Sequence, residues 1–280
     1  IVFTIPKELR KYFFYPFEEM IHLLFVAVNL TIQSIFNESF KLTKKGLKKY
    51  LSKIKWTPGF FAFLHTFGRD LKWNPHIHIL IAEIKLGSNN KCVKNEYFDF
   101  NALSLRFQKI LLDLLSEKLG KSFDEEKRKS YLNHKKGFYV YAEKKKFKNL
   151  KDGIEYVTRY CGRVPISENR IVNYDGENVT FSYNDHKDNT YKEITITAQE
   201  FIFMLLRHII PTQFKIIRYY GFYRKKHSLH DKMVMLVQEF KRKIRKELLK
   251  HELSVLRYFN RNPYNCPKCD RKMKFAFEIT

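Results

Sequence analysis

The sequence predicts an α+β fold built on antiparallel strands, with a basic helical extension at its C-terminal end. Three observations carry that prediction. Two apolar runs, 60–71 and 76–84, lie either side of the short polar stretch "KWNP" and read as a hairpin. Residues 170–197 hold three alternating runs separated by Asp-Gly and Asp-Asn, the pattern of a β-meander. Between these strand regions, residues 100–120 place Leu103, Phe107, Ile110, Leu111, Leu114 and Leu115 at helical spacing.

The elements follow in order. Residues 7 to about 50 read as helical, with apolar positions at helical spacing and lysines late in the run. The hairpin comes next, then the 100–120 helix ending at Gly120, where a residue without Cβ suits a helix C-terminus. "GFYVYAE" (137–143) reads as a strand. "LKDGIEYVTRYCGR" (150–163) reads as a short helix that Asp152 caps and Gly162 closes. After the meander, residues 198–210 read as a helix stopped by Pro211, which has no N–H to continue it. Three regions are expected: an N-terminal helical region (1–58), a catalytic domain (59–221) and a basic tail (222–280).

Charge narrows the partners. There are 53 Lys and Arg against 29 Asp and Glu, a net charge of +24 over 280 residues. Such an excess repels itself and attracts polyanions, with nucleic acid first and an anionic membrane surface second. Aromatics make up 16% of the chain, and rings interleaved with cations suit single strands, whose bases stack and whose phosphates pair. A Phe- and Lys-rich coding bias would give the same composition. In 222–280, 16 Lys and Arg stand against 6 Asp and Glu, and Lys241, Arg242, Lys243, Arg245 and Lys246 are candidates to grip a phosphate backbone.

The four cysteines are Cys92, Cys161, Cys266 and Cys269. Two are isolated, which points to a reducing compartment rather than a disulfide framework. Cys266 and Cys269, in "CPKC", form half of a possible Zn²⁺ site, with a distant residue such as His251 needed to complete it. No secretory signal is visible. The most apolar early stretch, 20–36, contains His22, Asn29 and Gln33 and reads as too polar and too short to span a membrane. The opening "IVFTIPKELR" lacks an initiator Met and is expected to continue from a longer protein.

Two groupings carry chemistry. His76 and His78 flank Ile77, so on a strand both imidazoles share one face and can chelate a divalent ion while Ile77 enters the core. With a turn near 71–72, His65 lies roughly opposite His78 and is the candidate third ligand. Glu83 and Glu143 are weaker ones, and Glu83 has the wrong parity. The ordinary alternative is a set of half-buried histidines bonded to backbone. Downstream, Tyr156 and Tyr160 are four apart and share a helix face, with Arg159 and Arg163 alongside. A tyrosine hydroxyl can attack a phosphodiester and hold the product covalently, and the arginines can neutralise developing phosphoryl charge. Helix packing is the plain alternative.

The His-hydrophobe-His strand after "LHTFGRDLKWNP", the Tyr-x-x-x-Tyr helix and "YCGRVPISENRI" together resemble the two-tyrosine HUH transposases of rolling-circle insertion sequences. "FTIPKELR" and the stretch from "VTFSYND" to "IIRYYGF" extend the resemblance over roughly residues 2–223, plus the "CPKC" tail. The resemblance implies a palm-like antiparallel sheet with helices on one face. It implies nicking and rejoining of single-stranded DNA with Mg²⁺ or Mn²⁺ in the bacterial cytoplasm, at the nucleoid. By the same resemblance His76 and His78 bind the metal and Tyr156 and Tyr160 are the nucleophiles. Two departures stand out: no cysteine-rich zinc module of the kind that usually opens the family is present, and Asn74 stands where another histidine is common. A replication initiator or relaxase would share this chemistry. A non-catalytic DNA-binding remnant would bind without metal, and a tyrosine-independent metal nuclease would leave no covalent adduct.

Overall fold

In the computed structural model the described residues are 1–37, 56–87, 91–94, 98–141, 164–185, 190–224 and scattered positions between 242 and 273. The chain divides into two compact units, Ile1–His227 and Ser228–Thr280.

The larger unit is built around one antiparallel sheet. Its strands are β1 (Val2–Thr4), β2 (Trp56–Phe67), β3 (Trp73–Gly87), β4 (Cys92–Lys94), β5 (Val140–Tyr141) and β9 (Ile217–Gly221). They lie in the order β5-β1-β3-β2-β9, and β4 pairs with the distal end of β3. The long β2–β3 hairpin is its spine. Alternation along it sends Phe60, Ala62, Leu64, Ile77 and Ile79 to one side, where all are buried. Two helices cover that side, α1 (Phe17–Phe36) and α2 (Phe100–Leu119). Phe3 of β1 meets Phe107 of α2 edge-on at 5.1 Å, the offset geometry that aromatic pairs prefer. The short α3 (Asp124–Asn133) follows α2 after a 3₁₀ turn.

α2 starts where its sequence permits. Asp99 accepts the Ala102 N–H at 3.0 Å, satisfying one of the orphan donors of the first turn. It ends at Gly120, whose φ of 69° suits a residue without Cβ. α1 begins after Pro16 and ends at Asn37, whose side chain bonds both the Gln33 and Trp56 carbonyls. The expected continuous helix from residue 7 is therefore a 3₁₀ turn over Lys7–Phe13 and a separate α-helix; residues 38–50 lie outside the described ones. By length and composition α1, at 20 residues, is long and apolar enough to cross a membrane, which corrects the expectation that this stretch is too short. Its most apolar window is 67% buried within the protein, against α2 and the sheet, and that packing accounts for its composition.

The meander forms as expected but as a sheet of its own: β6 (Ile171–Tyr174), β7 (Asn178–Asn184) and β8 (Tyr191–Thr197). Asp175 accepts from the N–H groups of Glu177 and Asn178 and closes the first turn, with Gly176 at positive φ. α4 (Ala198–Leu206) packs on this sheet through Phe201, and with Phe181, Val179 and Leu71 it makes a second, smaller core. α4 ends four residues before the expected stop. Its start is a capping box: the Thr197 hydroxyl accepts from Glu200 N–H, and the Glu200 carboxylate accepts from Thr197 N–H. Thr197→Ala is expected to cost about 1 kcal/mol, read as a lower denaturation midpoint with an unchanged slope.

The strands β1 and β9 were not expected. Of 137–143, Val140–Tyr141 is strand and residues 142–143 lie outside the described ones, as does the whole expected helix at 150–163.

Candidate metal centre

The hairpin turn decides where the histidines meet. It is formed by Gly68–Lys72, with Gly68 N–H bonded to the Lys72 carbonyl and Asp70 accepting from Lys72 N–H. Leu71 takes a positive φ of 59° while its side chain is buried in the second core. "KWNP" is thus largely strand, and the turn lies a little earlier than its composition indicated. The register shifts accordingly: His65 pairs with His76, and Phe63 with His78. Beside the turn Phe67 pairs with Trp73, a register that would set His65 against Pro75; a β-bulge between His65 and Phe67 takes up one residue and pairs His65 with His76 instead. His65 stays on the face of His76 and His78.

All three rings converge there. Their centroids lie 5.3 Å apart for His65–His76, 4.6 Å for His65–His78 and 5.0 Å for His76–His78. One ligating nitrogen from each lies within 4.8 Å of the others. His65 is buried, and the other two are half-buried. The His76 Nδ1–H donates to the Asn74 carbonyl at 2.7 Å, which makes Nε2 the atom that can offer a lone pair to a metal. His65 is stacked on Phe67 at 5.4 Å, which holds its plane. Three imidazole nitrogens on neighbouring strands fit a divalent transition ion. Among the described residues this is the one cluster of three His, Cys, Asp or Glu side chains close enough to share an ion. Glu83 is exposed further along β3, and Glu143 lies outside the described residues.

A fourth histidine, which the sequence reading missed, supports the hairpin. His208, just after α4, is buried; its Nε2–H donates to the Leu71 carbonyl at 2.8 Å, and its Nδ1 meets the Thr66 hydroxyl at 3.1 Å. Its ring lies parallel to Trp73 with centroids 6.0 Å apart. Burial lowers its pKa below the ordinary value, with the Leu71 carbonyl pulling the other way. It thereby clamps both sides of the turn next to His65 and His76. Nothing in "LLRHII" marks it, since its partners lie about 140 residues away.

The remaining candidates divide by position. Tyr156, Arg159, Tyr160 and Arg163 lie outside the described residues, as do Cys161, His251, Lys241, Lys243 and Arg245. Arg242 and Lys246 are helical and exposed. Cys266 and Cys269 sit in a small turn that the Asn265–Lys272 bridge closes, with Cys266 N–H bonded to the Arg271 carbonyl at 2.9 Å. Cys266 is half-buried and Cys269 exposed.

The fold and site define an α+β protein whose main antiparallel sheet carries helices on one face and a candidate three-histidine metal centre on the other. Residues 59–230 match the Y2_Tnp family, described as "Putative transposase", and the chain belongs to that family. It is 28% identical over 238 residues to the transposase for insertion sequence element IS801 of Pseudomonas savastanoi pv. phaseolicola, a match covering 79% of this chain and 53% of that protein. It is also 28% identical over 243 residues to "Putative transposase y4qJ" of Sinorhizobium fredii, covering 79% and 57%. The chain thus spans about half the length of the curated relatives it matches. No solved structure matches it significantly.

Proposed function

We propose that this chain is the catalytic portion of a rolling-circle transposase that nicks and rejoins single-stranded DNA through tyrosine. The observation that carries the reading is the convergence of His65, His76 and His78 on the sheet face away from α1 and α2, in a chain of a transposase family. In this reading the three imidazoles hold a divalent ion, Mg²⁺ or Mn²⁺. Such an ion supplies Lewis-acid polarisation of the scissile phosphate and stabilises charge on the leaving oxygen.

The hydroxyl of Tyr156 or Tyr160 attacks the phosphorus, its O–P bond forms, and the bond to the 3′ oxygen breaks. The 5′ phosphate stays on the tyrosine and the 3′ hydroxyl is released; rejoining is the reverse attack by a 3′ hydroxyl. Arg159 and Arg163 neutralise charge on the phosphoryl oxygens. One tyrosine cuts the donor end and the other receives the second strand. The basic tail, from Lys241 to Lys246, grips the backbone, and the Cys266–Cys269 turn contributes half of a Zn²⁺ site.

The test is covalent capture. End-labelled single-stranded oligonucleotides carrying the element's ends are incubated with the full chain, with Mn²⁺ or with EDTA, and run on a denaturing protein gel. A labelled band that needs metal and vanishes in the Tyr156→Phe/Tyr160→Phe variant is expected. A band that persists undiminished in that variant removes the tyrosine mechanism.

A further inference from the structure

The histidine face continues past the metal centre, across β1 to the edge strand. Val2 pairs with His78 on one side and with Tyr141 on the other. In the next row Thr4 pairs with His76, and its N–H donates to the Tyr139 carbonyl at 3.0 Å. Residues opposite one another in antiparallel strands share a face. The intervening Phe3, Ile77 and Val140, with Phe138, all enter the main core. Tyr139 and Tyr141 therefore stand on the same face as His76 and His78, two strands away, which at one strand spacing each is roughly 9–10 Å.

These two phenols are built as a pair. Their rings are 6.2 Å apart and 18° from parallel, and they remain 62% and 51% exposed. The side chains between them and the histidines are the smaller Val2 and Thr4. The result is a shallow gutter, with imidazoles along one side and stacked phenols along the other. Lys135 and Lys136 are exposed just before the pair, and Lys144, Lys145 and Lys146 follow it in the sequence. Exposed ring faces, flanking cations and a net charge of +24 call for a polyanion that carries free π-surfaces. Single-stranded DNA meets that description; in a duplex the base faces are already stacked on one another.

We infer that Tyr139 and Tyr141 are a stacking platform for unpaired bases of the strand whose phosphate lies at the histidines, so that the strand crosses β1. The inference rests on the functional reading above and adds a base-binding subsite to it. The rings act through their faces, so their hydroxyls are dispensable.

The test is fluorescence anisotropy with a labelled single-stranded oligonucleotide in EDTA and again in Mn²⁺, using the full chain. Tyr139→Ala/Tyr141→Ala is expected to weaken binding on the order of tenfold for each base that stacks. Tyr139→Phe/Tyr141→Phe is expected to keep wild-type affinity. The salt dependence of the alanine pair should keep the wild-type slope, because no ion pair is lost. Duplex binding should be unchanged in both variants. The two single alanine variants repeat the test with less disturbance of the edge strand. Wild-type affinity for single strands in the alanine variants overturns the platform and leaves the histidine reading standing. Phenylalanine variants as weak as the alanine ones overturn stacking in favour of the hydroxyls. A wild-type chain that binds no single strand, with or without Mn²⁺, overturns the functional reading and the platform with it.

Discussion

Alanine at His76 or His78 is expected to reduce Mn²⁺ affinity by more than the roughly 10- to 100-fold that loss of an outer hydrogen-bonding partner costs a metal site. These residues supply donor atoms, whereas Asn74 only orients one. His65→Ala should behave likewise, and because His65 is buried it should also lower thermal stability. Half-buried His76 and His78 should separate the two effects, losing metal with little loss of fold. Titration calorimetry on the full chain measures this directly. Of the two ions that the family resemblance implies, Mn²⁺ should bind more tightly than Mg²⁺. An all-imidazole set suits a first-row transition ion, while Mg²⁺ prefers oxygen donors and keeps its water. Binding should weaken as pH falls, because protons compete for the same lone pairs. Unchanged Mn²⁺ affinity in both His76→Ala and His78→Ala would leave the triad as an ordinary packed cluster.

The largest expected loss of stability is at Gly221. It pairs with Gly59 where β9 joins β2, and its φ is 60°. A Cβ there would sit 1.5 Å from the Pro58 carbonyl oxygen, and that backbone cannot give way without parting the strands. A Cβ on Gly59 would meet the buried Phe222 ring at 2.2 Å. Two residues without side chains thus let β9 close against β2 with Phe222 packed over the pair. Gly221→Ala should cost roughly 1–3 kcal/mol in backbone strain and a further 1–3 kcal/mol or so in overpacking. Gly120→Ala is the control: its φ is 69° but nothing lies within 4 Å of the added methyl. It should pay only the strain. Chemical denaturation of both variants decides the matter; equal losses would mean that the contact with Pro58 relaxes freely.

The histidine site shows which kind of information a sequence carries. That His76 and His78 share a face follows from strand periodicity, whereas His65 joins them because a β-bulge between His65 and Phe67 shifts the register by one residue. Which residues form the turn did not follow from composition. "KWNP" has the stronger turn character, yet "GRDLK" makes it, because Leu71 is drawn into the second core and His208 bonds its carbonyl. The strand β1 has three residues and β9 five, too short to show a pattern of their own, and each is held by partners dozens of residues away. The meander was legible as three strands, but not as a separate sheet, since either arrangement satisfies its alternation.

The sequence by itself determined what depends on local spacing: the antiparallel α+β class, the helix at 100–119, the hairpin and the common face of His76 and His78. It also held the charge that makes a polyanion the natural partner. Only the tertiary structure decided what depends on distant pairing: the register that brings His65 to His76, the clamp of His208, and the alignment of Tyr139 and Tyr141 with the histidines across β1. The physical reason is range. Periodicity is set by the geometry of adjacent residues, whereas pairing is chosen by cores and hydrogen bonds between segments that the chain itself keeps far apart.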